Sequence, residues 1–177
     1  MKKIAIMLCF AAIAFKGFSQ DNSYNQGDVL VNLGVGIGNL YWGSGYKTSL
    51  PVNPSASVEY GISDRISVGV GAAYSSVKLD VTGFDEIKYN GIAIQGRGSY
   101  HFLTSEKLDP YFGVSLGYVS ISVKDKGTDV FSSAKASGFG WGAHLGVRYY
   151  FAPTIGVYGE LGASSFSIIN AGLAIKL

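Results

Sequence analysis

From about residue 29 to the last residue, Leu177, apolar side chains alternate with small or polar ones at a period of two, and charges within these runs fall only on the glycine side. Successive side chains of a β-strand point to opposite faces, so the pattern describes strands with two unlike faces. Eight such runs can be drawn, over residues 29–38, 55–62, 66–74, 92–102, 111–118, 139–151, 155–163 and 170–177. In the sixth, Phe139, Trp141, Ala143, Leu145, Val147, Tyr149 and Phe151 oppose Gly140, Gly142, His144, Gly146, Arg148 and Tyr150.

The sign of the pattern separates two kinds of barrel. A water-soluble barrel points its apolar side chains inward and covers its outside with charge. Here Glu59, Arg97, Arg148, Glu160 and Lys176 all share the glycine face, and no Lys, Arg, Asp or Glu enters an apolar stripe. An Arg or Lys facing lipid at the bilayer midplane costs about 2–4 kcal/mol, so lipid is the surrounding that excludes charge this completely. Glycine at 25 residues and charged residues at only 15% fit the same reading. Mean hydropathy is positive, yet no segment after the leader holds the ~20 apolar residues of a spanning helix. Strands must carry the hydrophobicity.

Aromatic residues mark two levels. Tyr60, Tyr100, Phe102, Phe112, Tyr149 and Phe151 lie on the apolar face near short connections, and Tyr74, Tyr118, Phe139 and Trp141 near long ones. Two bands at opposite ends of the strands are the girdles expected at two membrane interfaces. The connections themselves alternate. Ser63–Arg65, Leu103–Asp109 and Ala152–Thr154 are short, whereas Leu40–Asn53, Ser75–Tyr89 and Ile121–Ser137 are long and polar; the last outer link, Ser164–Ser167, departs from this by being short. Short periplasmic turns and long outer loops give the same asymmetry.

Residues 1–19 read as a cleavable signal peptide. Lys2 and Lys3 precede an apolar stretch from Ile4 to Phe15, and Gly17 and Ser19 supply small residues before the cut. A short segment, 20–27, then leads into a barrel domain of residues 28–177. Removing the leader takes Lys2, Lys3 and Lys16 with it, so the full-chain charge of +2 becomes about −1. The basicity belongs to export and not to nucleic-acid binding. Cys9, the sole cysteine, leaves with the leader, which excludes disulfides and thiol catalysis in what remains.

At the end of the chain, Asn170-Ala171-Gly172-Leu173-Ala174-Ile175-Lys176-Leu177 follows a polar-x-Gly-x-x-apolar-x-apolar pattern. Asn170, Gly172, Ile175 and Leu177 thereby resemble the terminal β-signal that barrel-assembly machinery reads in outer-membrane proteins, with Leu177 where an aromatic is commoner. Taken with the charge parity and the girdles, residues 28–177 resemble the small outer-membrane β-barrel superfamily that includes OmpA transmembrane domains, OmpX and OmpW-like proteins. The resemblance implies an eight-stranded antiparallel up-and-down transmembrane β-barrel in the Gram-negative cell outer membrane. It also implies contact with outer-membrane lipid and lipopolysaccharide.

Inside an eight-stranded barrel, side chains just fill the bore. Counted from the short turns, Glu59 and Arg148 lie about four residues up and Arg97 and Glu160 about six, which places two acids and two bases in one layer. Unpaired, they would be costly. The expectation is a paired polar network that plugs the lumen, with Tyr111, Tyr150 and Tyr158 supplying further donors; the alternative is that these groups line a solute path. Glycines on the same face relieve crowding.

Other motifs dissolve in this frame. The glycines of 34–38 and 138–142 follow from period two and open no helix, so no nucleotide cofactor is expected. His101 and His144 come from different strands and heights, which argues against a metal. The outward stripes offer lipid neither a histidine nor an acid, so no catalytic residue is assigned. The expected function is non-enzymatic: a structural, surface-interaction or envelope-integrity role, with an extracellular partner met through the loops. The alternative is an OmpW-like narrow channel or binding barrel for small apolar molecules.

Overall fold

The computed structural model describes residues 22–37, 47–48, 52–79, 87–103, 105–125, 135–163 and 166–177. The leader and its cleavage point, along with most of the long links, lie outside the described residues. The strands are β1 (Val29–Ile37), β2 (Lys47–Thr48), β3 (Asn53–Ser63), β4 (Ile66–Leu79), β5 (Ile87–His101), β6 (Leu108–Asp125), β7 (Lys135–Ala152), β8 (Ile155–Gly162) and β9 (Ile169–Lys176). Each long strand pairs antiparallel with its neighbour in sequence, while β9 pairs with β1 and β4 with β5, so the eight long strands close on themselves. The two-residue β2 pairs with the upper part of β4. Closure is completed at the short-turn end, where Val29 and Leu177 exchange both backbone hydrogen bonds, at 2.8 and 2.9 Å. A closed antiparallel barrel leaves its strands no edge, as a membrane crossing by strands demands.

The two faces sort as the alternation requires. Val70, Ile94, Val114, Leu116, Leu145 and Leu161 are exposed on the outer wall, whereas Glu59, Arg97, Arg148 and Glu160 are buried inside. Tyr100 packs on its cross-strand partner Phe112 at 5.7 Å near the short-turn end, and Tyr118 on Phe139 at 6.1 Å near the other. Such cross-strand aromatic pairs stabilise the sheet at the levels where the girdles were expected. Phe139 and Trp141 stand 86% and 80% exposed, the most protruding side chains of the upper belt.

Several strands are longer than the apolar pattern indicates. Pairing between β4 and β5 continues to Leu79 and Ile87, and between β5 and β6 to Ile87 and Asp125, so much of what reads as polar link is ladder. Above the belts lipid no longer faces the strands, so nothing requires alternation there. Gly96 and Gly98, which weaken the apolar stripe of β5, do not interrupt it: both keep partners on β4 and β6. At the other end, Asp109 belongs to β6 and faces the bore; the expected turn ends before it.

Candidate functional site

The inward glycines occupy particular register positions. Arg97 is the cross-strand partner of Gly69, and Gly69 is the partner of Glu59, so Arg97 and Glu59 flank a glycine in one row across β5, β4 and β3. Tyr111, Gly146 and Glu160 form the same arrangement across β6, β7 and β8. Ser99, Gly113 and His144 repeat it across β5, β6 and β7. A long polar side chain lying along its row needs an empty place beside it, and glycine supplies one. At Gly146 an added Cβ would collide with the Tyr111 ring, and at Gly113 with His144.

Across these gaps the side chains join. Arg97 pairs with Glu160 through both guanidinium nitrogens Nη1 and Nη2, and its Nε lies 3.3 Å from Glu59 Oε1. Tyr111 donates to Glu160 Oε1 at 2.9 Å while the Arg148 guanidinium sits 4.0 Å from its ring centroid. Arg148 donates to Glu59 Oε1 at 3.3 Å, to Asp109 Oδ2 at 2.9 Å and to Asn32 Oδ1 at 3.0 Å. Glu59 thus touches both arginines from one carboxylate oxygen, and its other oxygen accepts from Ser67 at 2.8 Å. Arg148 and Glu59 are fully buried. Such a network is held by its completeness, because each charge depends on the rest for solvation.

The structure thus brings Glu59, Arg97, Tyr111, Arg148 and Glu160 together. The other two tyrosines stand apart. Tyr150 packs with Tyr158 and Ala174, its hydroxyl without a hydrogen-bond partner among the described residues and its ring 5.5 Å from Lys176 Nζ. Tyr158 runs over the row formed by Gly172 and Gly34 toward Ser55. Of the terminal residues, Asn170 and Gly172 face inward on β9; a Cβ at Gly172 would meet the backbone of Leu33 and Gly34.

Three participants escape the sequence reading: Asp109, His101 in its bonded role, and the segment before β1. His101 Nδ1 lies 2.6 Å from Asp109 Oδ1 and its Nε2 lies 3.0 Å from Ser67 Oγ. Serine, imidazole and carboxylate in that order have the connectivity of an acyl-transfer triad. The proton is misplaced for such chemistry: Ser67 donates to Glu59, so it presents a lone pair, not a hydrogen, toward His101. Ser67 is also fully buried. This is a structural chain.

The segment 22–28 crosses the short-turn end of the bore. Lys176 Nζ donates to Asn22 O at 2.9 Å, Ser23 Oγ to Leu108 O at 2.7 Å, and Gly27 N to Gly61 O at 2.8 Å. Gly27 has φ of 87°, which a side chain would strain, and it turns the segment into β1. Tyr24 inserts between these points and stacks on His101 at 3.6 Å with 4° between the rings. Its hydroxyl lies 2.7 Å from both Ser63 O and Ile66 O and donates to one at a time. Burial pushes its pKa up, which keeps the donor in place.

At the opposite end of the bore the lining turns apolar. Ala73, Ala93 and Val119 form one row across β4, β5 and β6, with Ser75, Gly91 and Ile121 in the row above. Phe166, from the link between β8 and β9, packs against this wall with no exposed surface. Asn53 Nδ2 donates to Ser167 Oγ at 2.8 Å beside it. Below Phe166 and above the ion network lies a polar-floored cavity of about 20 Å³, lined by Ala73, Ala93, Gln95, Arg97, Glu160 and others.

The model of a family described as the outer membrane protein beta-barrel domain matches residues 4–174. No curated protein matches the chain. Among solved structures, the chain is similar to the outer membrane protein OprG from Pseudomonas aeruginosa, at 15% identity over 87% of this chain and 97% of that one, with a TM-score of 0.60. It is also similar to the outer membrane protein AlkL, at 18% identity over 92% and 96% of the two chains, with a TM-score of 0.52. At these identities the likeness is one of fold.

Proposed function

The chain belongs to the outer membrane protein β-barrel domain family and resides in the outer membrane, and from that premise we propose that it acts as a closed, non-conducting, non-enzymatic barrel with a structural or surface-interaction role in the envelope. The observation that carries this reading is the double engagement of Glu59 by Arg97 and Arg148. A solute path would need these groups to be solvated by water or by the passing solute. Instead, they are solvated by one another, and moving any of them into a conducting arrangement leaves a partner buried and unpaired. The Tyr24 segment below and Phe166 above cross the same bore.

The outer wall supports a matching assignment of partners. Its apolar stripe and two aromatic belts face lipid, with lipopolysaccharide in the outer leaflet, and the last strand is read by the barrel-assembly machinery during insertion. The long links present a surface for an extracellular partner. The test of the closed reading is electrical. Purified barrel in planar bilayers should give no sustained conductance steps, whereas Arg148→Ala with Glu59→Ala, which removes the centre of the network, should raise the frequency of openings. Stable steps from the unaltered protein would overturn the proposal.

A further inference from the structure

Most of the lower bore is filled by the wall's own long side chains, and the upper bore is not. Over β4, β5 and β6 the inward positions shrink to Ala73, Ser75, Gly91 and Ala93, with Val119 and Ile121 at the side. Among the described residues, the ring that enters this space is Phe166, from the link between β8 and β9, the strands across the bore from β4 and β5. The fit depends on the missing side chain at Gly91: an added Cβ there would lie 2.7 Å from Phe166 Cζ and 2.8 Å from Cε1. Beside the ring, Ser75 Oγ is fully buried and has no hydrogen-bond partner among the described residues. Ser75 is the cross-strand partner of Gly91, so the unpartnered hydroxyl adjoins the ring-shaped slot. A buried hydroxyl without a partner loses about 1–3 kcal/mol of solvation, and a phenylalanine ring has nothing to return.

We propose that the upper lumen is a blind binding pocket for a small uncharged phenol, whose ring takes the place of Phe166 and whose hydroxyl pairs with Ser75. Phe166 is then a tethered occupant that the ligand displaces. The pocket is blind because the Arg97–Glu160 pair lies beneath its floor. It therefore goes beyond the closed-barrel reading without requiring passage.

The probe is p-cresol, with toluene as the ring that lacks the hydroxyl, and binding is read by intermolecular NOEs to the methyl groups of Ala73, Ala93 and Val119. Because the resident ring must first leave, apparent affinity is reduced by the fraction of barrels in which it is out, so Phe166→Ala should bind p-cresol about tenfold or more tighter than the unaltered chain. Ser75→Ala added to Phe166→Ala should retain toluene binding and lose the preference for p-cresol. Ala93→Leu added to Phe166→Ala should abolish both. A heat-shifted gel band verifies that each variant is folded. If Phe166→Ala proves unfolded, the unaltered chain still serves: saturable NOEs to the Ala73 and Val119 methyls that vanish in the Ala93→Leu variant support the pocket. NOEs absent from every folded variant, or unchanged by Ala93→Leu, would overturn it. Conductance of the same samples is a separate readout, so a leaking barrel that binds p-cresol would refute closure and leave the pocket standing.

Discussion

Arg148 is the residue on which the lumen network converges. Its guanidinium bonds Glu59, Asp109 and Asn32 from three strands and covers the Tyr111 ring. Replacing it with methionine keeps much of the volume but takes the shared cation from two buried carboxylates, leaving Glu59 to Arg97 and Ser67 and Asp109 to His101, so Arg148→Met should destabilise the barrel by about 3–5 kcal/mol, read by urea unfolding in lipid vesicles. Gly146 makes a subtler case, because its role is absence. A methyl group there displaces Tyr111 from Glu160, and Gly146→Ala should cost about 1–3 kcal/mol in the same assay although alanine suits a strand no worse than glycine does. Unchanged stability in Gly146→Ala would mean that the tyrosine has another way to cross.

Among the elements, the segment before β1 does most that its sequence does not announce. It carries a single large side chain, Tyr24, flanked by polar residues and glycine, and nothing in that composition distinguishes it from a linker. In the structure it spans from Lys176 to Gly61 and lays Tyr24 on His101. Tyr24→Ala should therefore cost about 3–5 kcal/mol, as for other large buried aromatics, while Tyr24→Phe, which retains the stacking, should cost about 1 kcal/mol. Amide exchange at Gly27 and Gly61 checks the assignment: protection there should fall in the alanine variant and survive in the phenylalanine one. The strands show the opposite behaviour. Their parity is written in each run, so the faces of all eight follow from the pattern, whereas the upper ends of β4 to β7 do not, because outside the lipid no face is selected.

For the whole molecule, the decisive property is which medium each face meets. Leu145 lies on the outer wall between the lower belt of Tyr149 and Phe151 and the upper belt of Phe139 and Trp141. Leu145→Arg should destabilise the folded barrel in bilayers by about 2–4 kcal/mol. Were this same outer wall in contact with water instead of lipid, the substitution at an exposed position would cost little. An unfolding free energy unaffected by Leu145→Arg would contradict the lipid-facing assignment.

Local order along the chain was enough to determine the strand count, the inward position of Glu59, Arg97, Arg148 and Glu160, the two aromatic levels and the membrane as surroundings, because the face a residue takes depends only on its neighbours two places away. Which inward groups meet was decided by closure. By register, Asp109 stands opposite Arg148 in the β6–β7 ladder, and His101 reaches Asp109 across β5 and β6 and Ser67 across β4 and β5, while Tyr150 and Tyr158 stay beside the network. The same registers place Gly69, Gly113 and Gly146 between partners and Phe166 over Gly91. Period two states on which side of the wall a side chain lies. Only the stagger of a closed cylinder states what it finds there.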